Sequence, residues 1–466
     1  MINIKSFIKK NRVLLLIIIL ALLLRLCFLS PWLEDWDSVQ FALALKDFSL
    51  IKQQPHSPGY PLYIFLGRIF NFFLHNDTLA LTSLSAVLGS LCALPLYFLI
   101  TDITKNKKIA LIAIVIFLVT PAQWSLSEAA LSNIPGMFFS ICSAYLIFKG
   151  RKSLKLLYWG SFLSGISLGV RFAEYSTVIV LLGLVLYIRK KIPDLIKSAI
   201  CFTTGILVWL IPMVLVTGLG TFISLYKNQA GYIVNHDSLL SQNSSLIERL
   251  IRIKWLLTTG YSLYFLIPVL IITIYFFRKK IILFKNINLL FALFWLISYS
   301  IPLLFIYNLE VPRHVLPLLP PLVILFAIAV GSLWEWKLVK LFTAITIIFL
   351  FSVSLREAKL IHTLTPPTIS PILYVKDNLK PSEVTLFTSF TYRQFQYYAP
   401  EYLNYWVDVN TPQTINTKFV VTDYIGTKTK FALLNNYQMF DTKEFVGPQE
   451  IFPRVSKINI FTYQAE

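Results

Sequence analysis

Apolar residues are gathered along this chain into long blocks, without the regular polar interruptions of a surface helix or strand. Segments 13–24, 109–119 and 341–353 contain no ionisable side chain at all. A helix needs roughly 20 mostly apolar residues to cross the hydrocarbon core of a bilayer. Apolar windows of that kind place spans near 13–30, 79–101, 109–127, 130–148, 155–170, 172–188, 199–217, 256–277, 287–307, 315–333 and 338–355. The expected fold is therefore an α-helical polytopic membrane protein with about eleven transmembrane helices.

The polar segments between the blocks are of two kinds. One set is short and basic: Lys5, Lys9, Lys10 and Arg12; Lys105, Lys107 and Lys108; Lys149, Arg151, Lys152 and Lys155; Arg189, Lys190, Lys191 and Lys197; Arg278, Lys279, Lys280 and Lys285; Lys337 and Lys340. The alternate set is longer, richer in Trp, Tyr, Pro and acids, and holds all five histidines: His56, His75, His236, His314 and His362. Basic loops stay on the cytoplasmic side. This predicts a multi-pass plasma-membrane protein with a cytoplasmic N-terminus and any chemistry on the far side. The basic N-terminal start followed by an apolar stretch also suits a signal peptide, but the stretch runs to Leu29 without a small-x-small site, which favours an uncleaved first span.

An odd number of spans puts residues 356–466 outside. There the pattern changes to short β-rich runs at 384–388, 405–409, 419–422 and 458–463, with helical patterns at 371–379 and 430–436. A small extracytoplasmic α/β domain is expected, following a transmembrane domain at 1–355.

Composition agrees with the pattern: 56% hydrophobic and 14% charged residues, and a mean hydropathy of +0.68. The net charge of +19 would suit nucleic acid on one solvated face, but here it lies in clusters between apolar blocks. It encodes topology and membrane-lipid contact, and no nucleic-acid partner is expected. Cys27, Cys92, Cys142 and Cys201 all fall inside apolar blocks, so no disulfide framework or thiolate metal site is implied.

The first outer segment, 31–78, is unusually long. It opens with Glu34, Asp35 and Asp37 at the mouth of the first span. It continues through Gln54-Pro-His-Ser-Pro-Gly-Tyr-Pro61, where three prolines restrict the backbone around His56 and Tyr60. Residues 62–74 are apolar but too few to span, which fits a helix lying at the interface, interrupted by Arg68.

The acidic cluster after the first span, the Pro-His-Ser-Pro-Gly-Tyr-Pro-Leu-Tyr stretch, the later Val-Pro-Arg-His-Val-Leu-Pro-Leu-Leu-Pro-Pro and the outer C-terminal domain together resemble the GT-C superfamily of polytopic glycosyltransferases. The resemblance is to members related to protein O-mannosyltransferases and lipid A aminoarabinose transferases. It implies a transferase that takes a sugar from a polyprenyl-phosphate donor and passes it, with inversion, to a lipid, glycan or protein acceptor on the outer face. Neither a metal nor another cofactor is implied.

A hydroxyl acceptor needs a carboxylate to take its proton. Asp37 is the first candidate, then Asp35, then Glu34. Asp37 followed by Gln40 also has the form of a helix-capping pair, so a structural role stands beside the catalytic one. A phosphate leaving group needs cations, and guanidinium matches it best. Arg171, Arg313 and, more weakly, Arg68 are the candidates, against a local Arg171–Glu174 pair, an interfacial anchor at Arg313 and a snorkelling Arg68. His56, Tyr60 and His236 complete the candidate substrate-binding set. The rival class is a flippase or transporter of lipid-linked sugars. Ion-coupled carriers usually bury acids along their spans, and here the spans hold almost none beyond Glu174.

Overall fold

A computed structural model of the chain describes residues 4–238, 245–260, 287–407, 414–424, 434 and 436–466. The helical part begins with α1 (Ile4–Cys27), α2 (Trp36–Lys46), α3 (Pro61–Leu74), α4 (Asp77–Leu91), α5 (Ala93–Thr104), α6 (Lys107–Val119) and α7 (Pro121–Leu126). It continues with α8 (Asn133–Gly150), α9 (Leu154–Val170), α10 (Tyr175–Arg189), α11 (Ile192–Thr217), α12 (Leu219–Tyr232) and α13 (Leu246–Trp255), then α14 (Ile287–Phe305), α15 (Leu319–Ser332) and α16 (Lys337–Thr363).

Among the described residues six helical segments are long and apolar enough to cross a membrane: Asp77–Thr104, Phe172–Arg189, Ile192–Thr217, Ile287–Phe305, Pro312–Ser332 and Lys337–Thr363. The windows expected at 13–30, 109–127, 130–148 and 155–170 are also helical, as α1, α6 with α7, α8 and α9. Thr120 and Pro121 divide the third window into α6 and α7, because proline has no amide to continue the ladder. The expected span at 256–277, the basic loop at 278–285 and the helical pattern at 430–436 fall largely outside the described residues.

The interior of the bundle is apolar, with Phe117, Phe291, Trp295, Tyr299 and Phe326 essentially inaccessible. Small residues let helices approach closely. Gly165 on α9 lies against the Phe202 carbonyl of α11, and Gly205 on α11 against that of Phe162 on α9. Trp209 locks the pair by donating from its indole nitrogen to the Gly165 carbonyl at 2.9 Å.

Segment 31–78 is largely helical. Asp35 caps α2, its Oδ1 accepting the Asp37 amide at 2.9 Å. At the other end Arg68 donates to the carbonyls of Ala44 (3.0 Å) and Leu45 (2.9 Å), which have no helical partners there. In α3, Tyr63, Ile64 and Gly67 face inward while Phe65, Phe72 and Phe73 are exposed, the two-sided pattern of a helix lying along an apolar boundary. The turn before α3 carries Gly59 at φ +105°, where a side chain would also meet the Met213 sulfur.

The C-terminal part is an α/β unit, with α17 (Ser370–Asn378), β1 (Val384–Thr388), α18 (Tyr392–Tyr398), β2 (Leu403–Trp406), β3 (Phe419–Thr422), β4 (Tyr437–Val446) and β5 (Lys457–Ala465). The strand order is β2-β1-β3-β5-β4, parallel among β2, β1 and β3, antiparallel from β3 through β5 to β4. Strands β1 and β3 are buried along their whole length, as expected of parallel strands covered on both faces.

Candidate active site

Three acids and two guanidiniums converge where the bundle meets the C-terminal unit. Arg313 sits in the short 3-10 turn Pro312–Leu318 that leads into α15. One of its terminal nitrogens donates to Asp35 Oδ2, and the other to Asp37 Oδ2 at 2.6 Å. Arg454, from the β4–β5 connection, reaches Asp35 Oδ2 at 3.3 Å. Burial pushes the Asp35 carboxyl up, but the two guanidiniums and the Asp37 amide outweigh it and hold the group well below the usual carboxylate range. Glu34 behaves in the opposite way. Burial, then the neighbouring Asp35 charge, raise it to about 8.

Asp37 Oδ1 faces His56 Nδ1 at 3.7 Å. His56 is half-buried in the proline-rich turn and lies 2.7 Å from Gln40 Oε1 through Nδ1 and 3.1 Å from the Tyr60 hydroxyl through Nε2. Because Gln40 Oε1 can only accept, Nδ1 carries the proton and Nε2 accepts from Tyr60. Burial lowers the His56 pKa, with Arg313 and Arg171 adding to it against Asp37 and Asp35, so the imidazole is neutral at pH 7. Burial also pushes the Tyr60 phenol up to about 12, against the Arg171 charge.

Arg171 closes the far side. It is only 8% exposed and donates to Ser132 Oγ at 3.1 Å. Its side chain lies on Gly136 of α8. No carboxylate among the described residues pairs with it, and its Nε has no acceptor. An uncompensated buried guanidinium is costly unless an anion or a wet cavity faces it. An apolar cleft of about 330 Å³ runs between α10, the next α-helix in the chain after Arg171, and α14, lined by Tyr175, Ile179, Ile301, Pro302, Phe305 and Ile306.

Residues 48–194 match a family model described as the N-terminal domain of the protein O-mannosyl-transferase TMEM260. Over nearly its whole length the chain superposes on a crystal structure of ArnT from Cupriavidus metallidurans bound to undecaprenyl phosphate. The TM-score is 0.61 at 11% identity, over 97% of this chain and 98% of that one. The apo state of the same protein gives 0.55, with the same identity and coverage. The chain has the GT-C fold. No curated protein matches it by sequence. The family match, over residues 48–194, and the fold likeness, over nearly the whole chain, are both to relatives of the kind named by the sequence resemblance.

Within this GT-C frame the candidate residues divide. Asp37, Asp35, Glu34, Arg313, His56 and Tyr60 are brought together, with Arg171 on their bundle side. The Arg171–Glu174 pair is not formed: Glu174 is buried with its Oε1 unpartnered. The capping role considered for Asp37 belongs to Asp35, which leaves Asp37 in the first turn. Arg313 is no interfacial anchor, since it clamps two acids. Arg68 is taken up by the carbonyls at the end of α2 and is remote from the acids at its start. His236 is exposed, stacked on Tyr232 of its own helical stretch at 4.4 Å. Among the described residues no three His, Cys, Asp or Glu side chains are grouped to hold a metal. Sequence reasoning missed Arg454, which sits in a loop of no distinctive composition, and Gln40, which it read only as half of a capping pair.

Proposed function

We propose that this GT-C protein transfers a sugar from a polyprenyl-phosphate donor to a hydroxyl acceptor on the extracytoplasmic face, with inversion and with Asp37 as general base. The observation that carries the reading is the freedom of Asp37 Oδ1. Asp35 has taken the cap and Arg313 holds Oδ2, so among the described residues the other carboxylate oxygen makes no hydrogen bond, with His56 Nδ1 standing off at 3.7 Å. Asp35 is bound by two guanidiniums and a backbone amide and serves to hold Arg313 in place. Glu34, raised to about 8, carries its own proton at neutral pH and is a poor proton acceptor there.

In the proposed step the acceptor oxygen forms a bond to the anomeric carbon as its proton passes to Asp37. The bond from that carbon to the phosphate oxygen breaks, and its electron pair leaves with the polyprenyl phosphate. Arg171 is the cation for that developing charge, and the apolar cleft between α10 and α14 suits an isoprenoid tail. The ligand named for the ArnT structure, undecaprenyl phosphate, supports this class of donor. Residues 1–355, with the loop 31–78, form the transferase part, and 356–466 close over it.

The test is transfer by reconstituted protein from a polyprenyl-phosphate sugar. Asp37→Asn should reduce turnover by about 10²–10⁴-fold, the range for loss of a general base, with an unchanged melting temperature. Full turnover in a folded Asp37→Asn protein overturns the assignment. Absence of transfer by the wild type with every donor favours a flippase.

A further inference from the structure

The C-terminal unit also brings to Asp37 a group of side chains that the transfer step does not use. Trp36, between the two clamped aspartates, turns away from Arg313 toward the sheet. Its ring centroid lies 5.5 Å from that of Trp406 and 6.3 Å from that of Tyr392. Tyr392 and Trp406 are 5.7 Å apart with planes within 20° of parallel. All three aromatic residues are half-buried, so each keeps part of its surface accessible, and neighbouring Phe390 is 59% exposed.

The location is chemically favoured. Trp406 ends β2 and Tyr392 begins the helix after β1, so the rings stand at the carboxyl ends of parallel strands, where open α/β sheets bind ligands. The loop beneath them is fixed. Asp423, at the end of β3, accepts the amides of Ser389 and Thr391 at 2.7 Å each and the Thr391 hydroxyl at 2.8 Å.

Two buried polar side chains of the same helix each keep one atom without a partner among the described residues. Arg393 is 4% exposed, and its guanidinium lies 5.7 Å from the Trp36 ring and 5.6 Å from the Tyr392 ring. Its terminal nitrogens donate to Gln396 Oε1 (2.7 Å) and the Lys52 carbonyl (3.1 Å), while Nε has no acceptor. Gln394, 1% exposed, donates to the Glu34 carbonyl at 2.8 Å, and its Oε1 has no donor. Unsatisfied buried donors and acceptors are rare and call for a partner.

We propose that the Trp36–Tyr392–Trp406 platform binds a sugar ring of the acceptor. A pyranose has an apolar C–H face that stacks on aromatic rings, and a rim of hydroxyls that both donate and accept. The platform supplies the matching faces, a free donor on Arg393 and a free acceptor on Gln394. It cannot be the donor's seat in the arrangement proposed above, because the phosphate belongs with Arg171 on the bundle side and Asp37 lies between. The word acceptor rests on the transferase reading; the platform itself does not. An extended peptide could add to β2, an edge strand of the sheet. Such pairing would use backbone and leave the rings and both polar groups unused.

The test is titration of the purified full-length protein in detergent, read by tryptophan fluorescence and calorimetry. The probes are cellotetraose, maltotetraose, chitotetraose and a Ser/Thr-rich peptide. At least one oligosaccharide should bind saturably. Trp406→Ala and Tyr392→Ala should each weaken it by about tenfold, the equivalent of one lost stacking contact. Trp406→Phe should keep most of the affinity, and all variants should keep the wild-type melting temperature. Binding of the peptide alone, oligosaccharide binding that survives Trp406→Ala, or no saturable binding would each overturn the proposal. A protein that binds oligosaccharide through Trp406 yet transfers nothing loses the transferase reading and keeps the platform. One that transfers without such binding loses the platform alone.

Discussion

Glu34, Asp35 and Asp37 crowd three carboxyl groups at the start of one helix, and their neighbours give each a different state. The raised pKa of Glu34, about 8, means that its neutral form is favoured by the fold. Stability from that group is fully present at low pH and is lost as pH rises through 8. Ionisation there also places another negative charge beside the Arg313 clamp. We therefore expect kcat/KM to fall on the alkaline side near pH 8, and Glu34→Gln to move that limb upward. An identical limb in the variant would remove Glu34 from the profile. At this scale the sequence was informative about residue type, since acids in an outer segment and arginines beside apolar blocks are rare enough to single out. It could not say which aspartate caps the helix, because Asp35 and Asp37 both precede plausible first turns. Nor could it reveal Arg454, whose role depends on a contact across 419 positions of chain.

Among the elements, the α8–α10 region sets the position of Arg171. Gly136 on α8 has no room for a side chain, since a Cβ there would lie 2.6 Å from the Arg171 Cβ. Gly136→Ala should displace Arg171 at an overpacking cost of about 1–3 kcal/mol. Affinity for undecaprenyl phosphate should fall while the helical content is kept. Calorimetric binding together with a thermal melt checks both, and wild-type values for each would show that the arginine is free to move. Helices and inner strands were legible because burial on both faces leaves continuous apolar runs, as at 384–388 and 419–422. Strand β4 was not. It lies at the sheet edge with most of its residues exposed, so polar residues interrupt the alternation that would mark it. Helix α18 was hidden by its aromatic residues, which have strand propensity but here face the first outer segment.

For the whole molecule, the polarity of the basic loops remains the basis for orientation. A cysteine replacing exposed Glu401, in a background without the four native cysteines, should react with a membrane-impermeant maleimide in intact cells. Reaction only after permeabilisation would place the C-terminal unit in the cytoplasm and overturn the proposed side of the chemistry.

The contacts between that unit and segment 31–78 also bear on how the protein is made. Tyr398, Thr368, Gln394 and Arg454 hold Leu33, Glu34 and Asp35. Arg454 lies 419 positions after the aspartate it binds. During synthesis the helices can enter the bilayer one after another while the acid cluster still lacks its clamps. The clamp on Asp35 is complete only after Arg454 has been made. A chain that stops before Arg454 would leave the helices in place with the acid cluster short of one of its two guanidiniums, so an incomplete product would lack the assembled site.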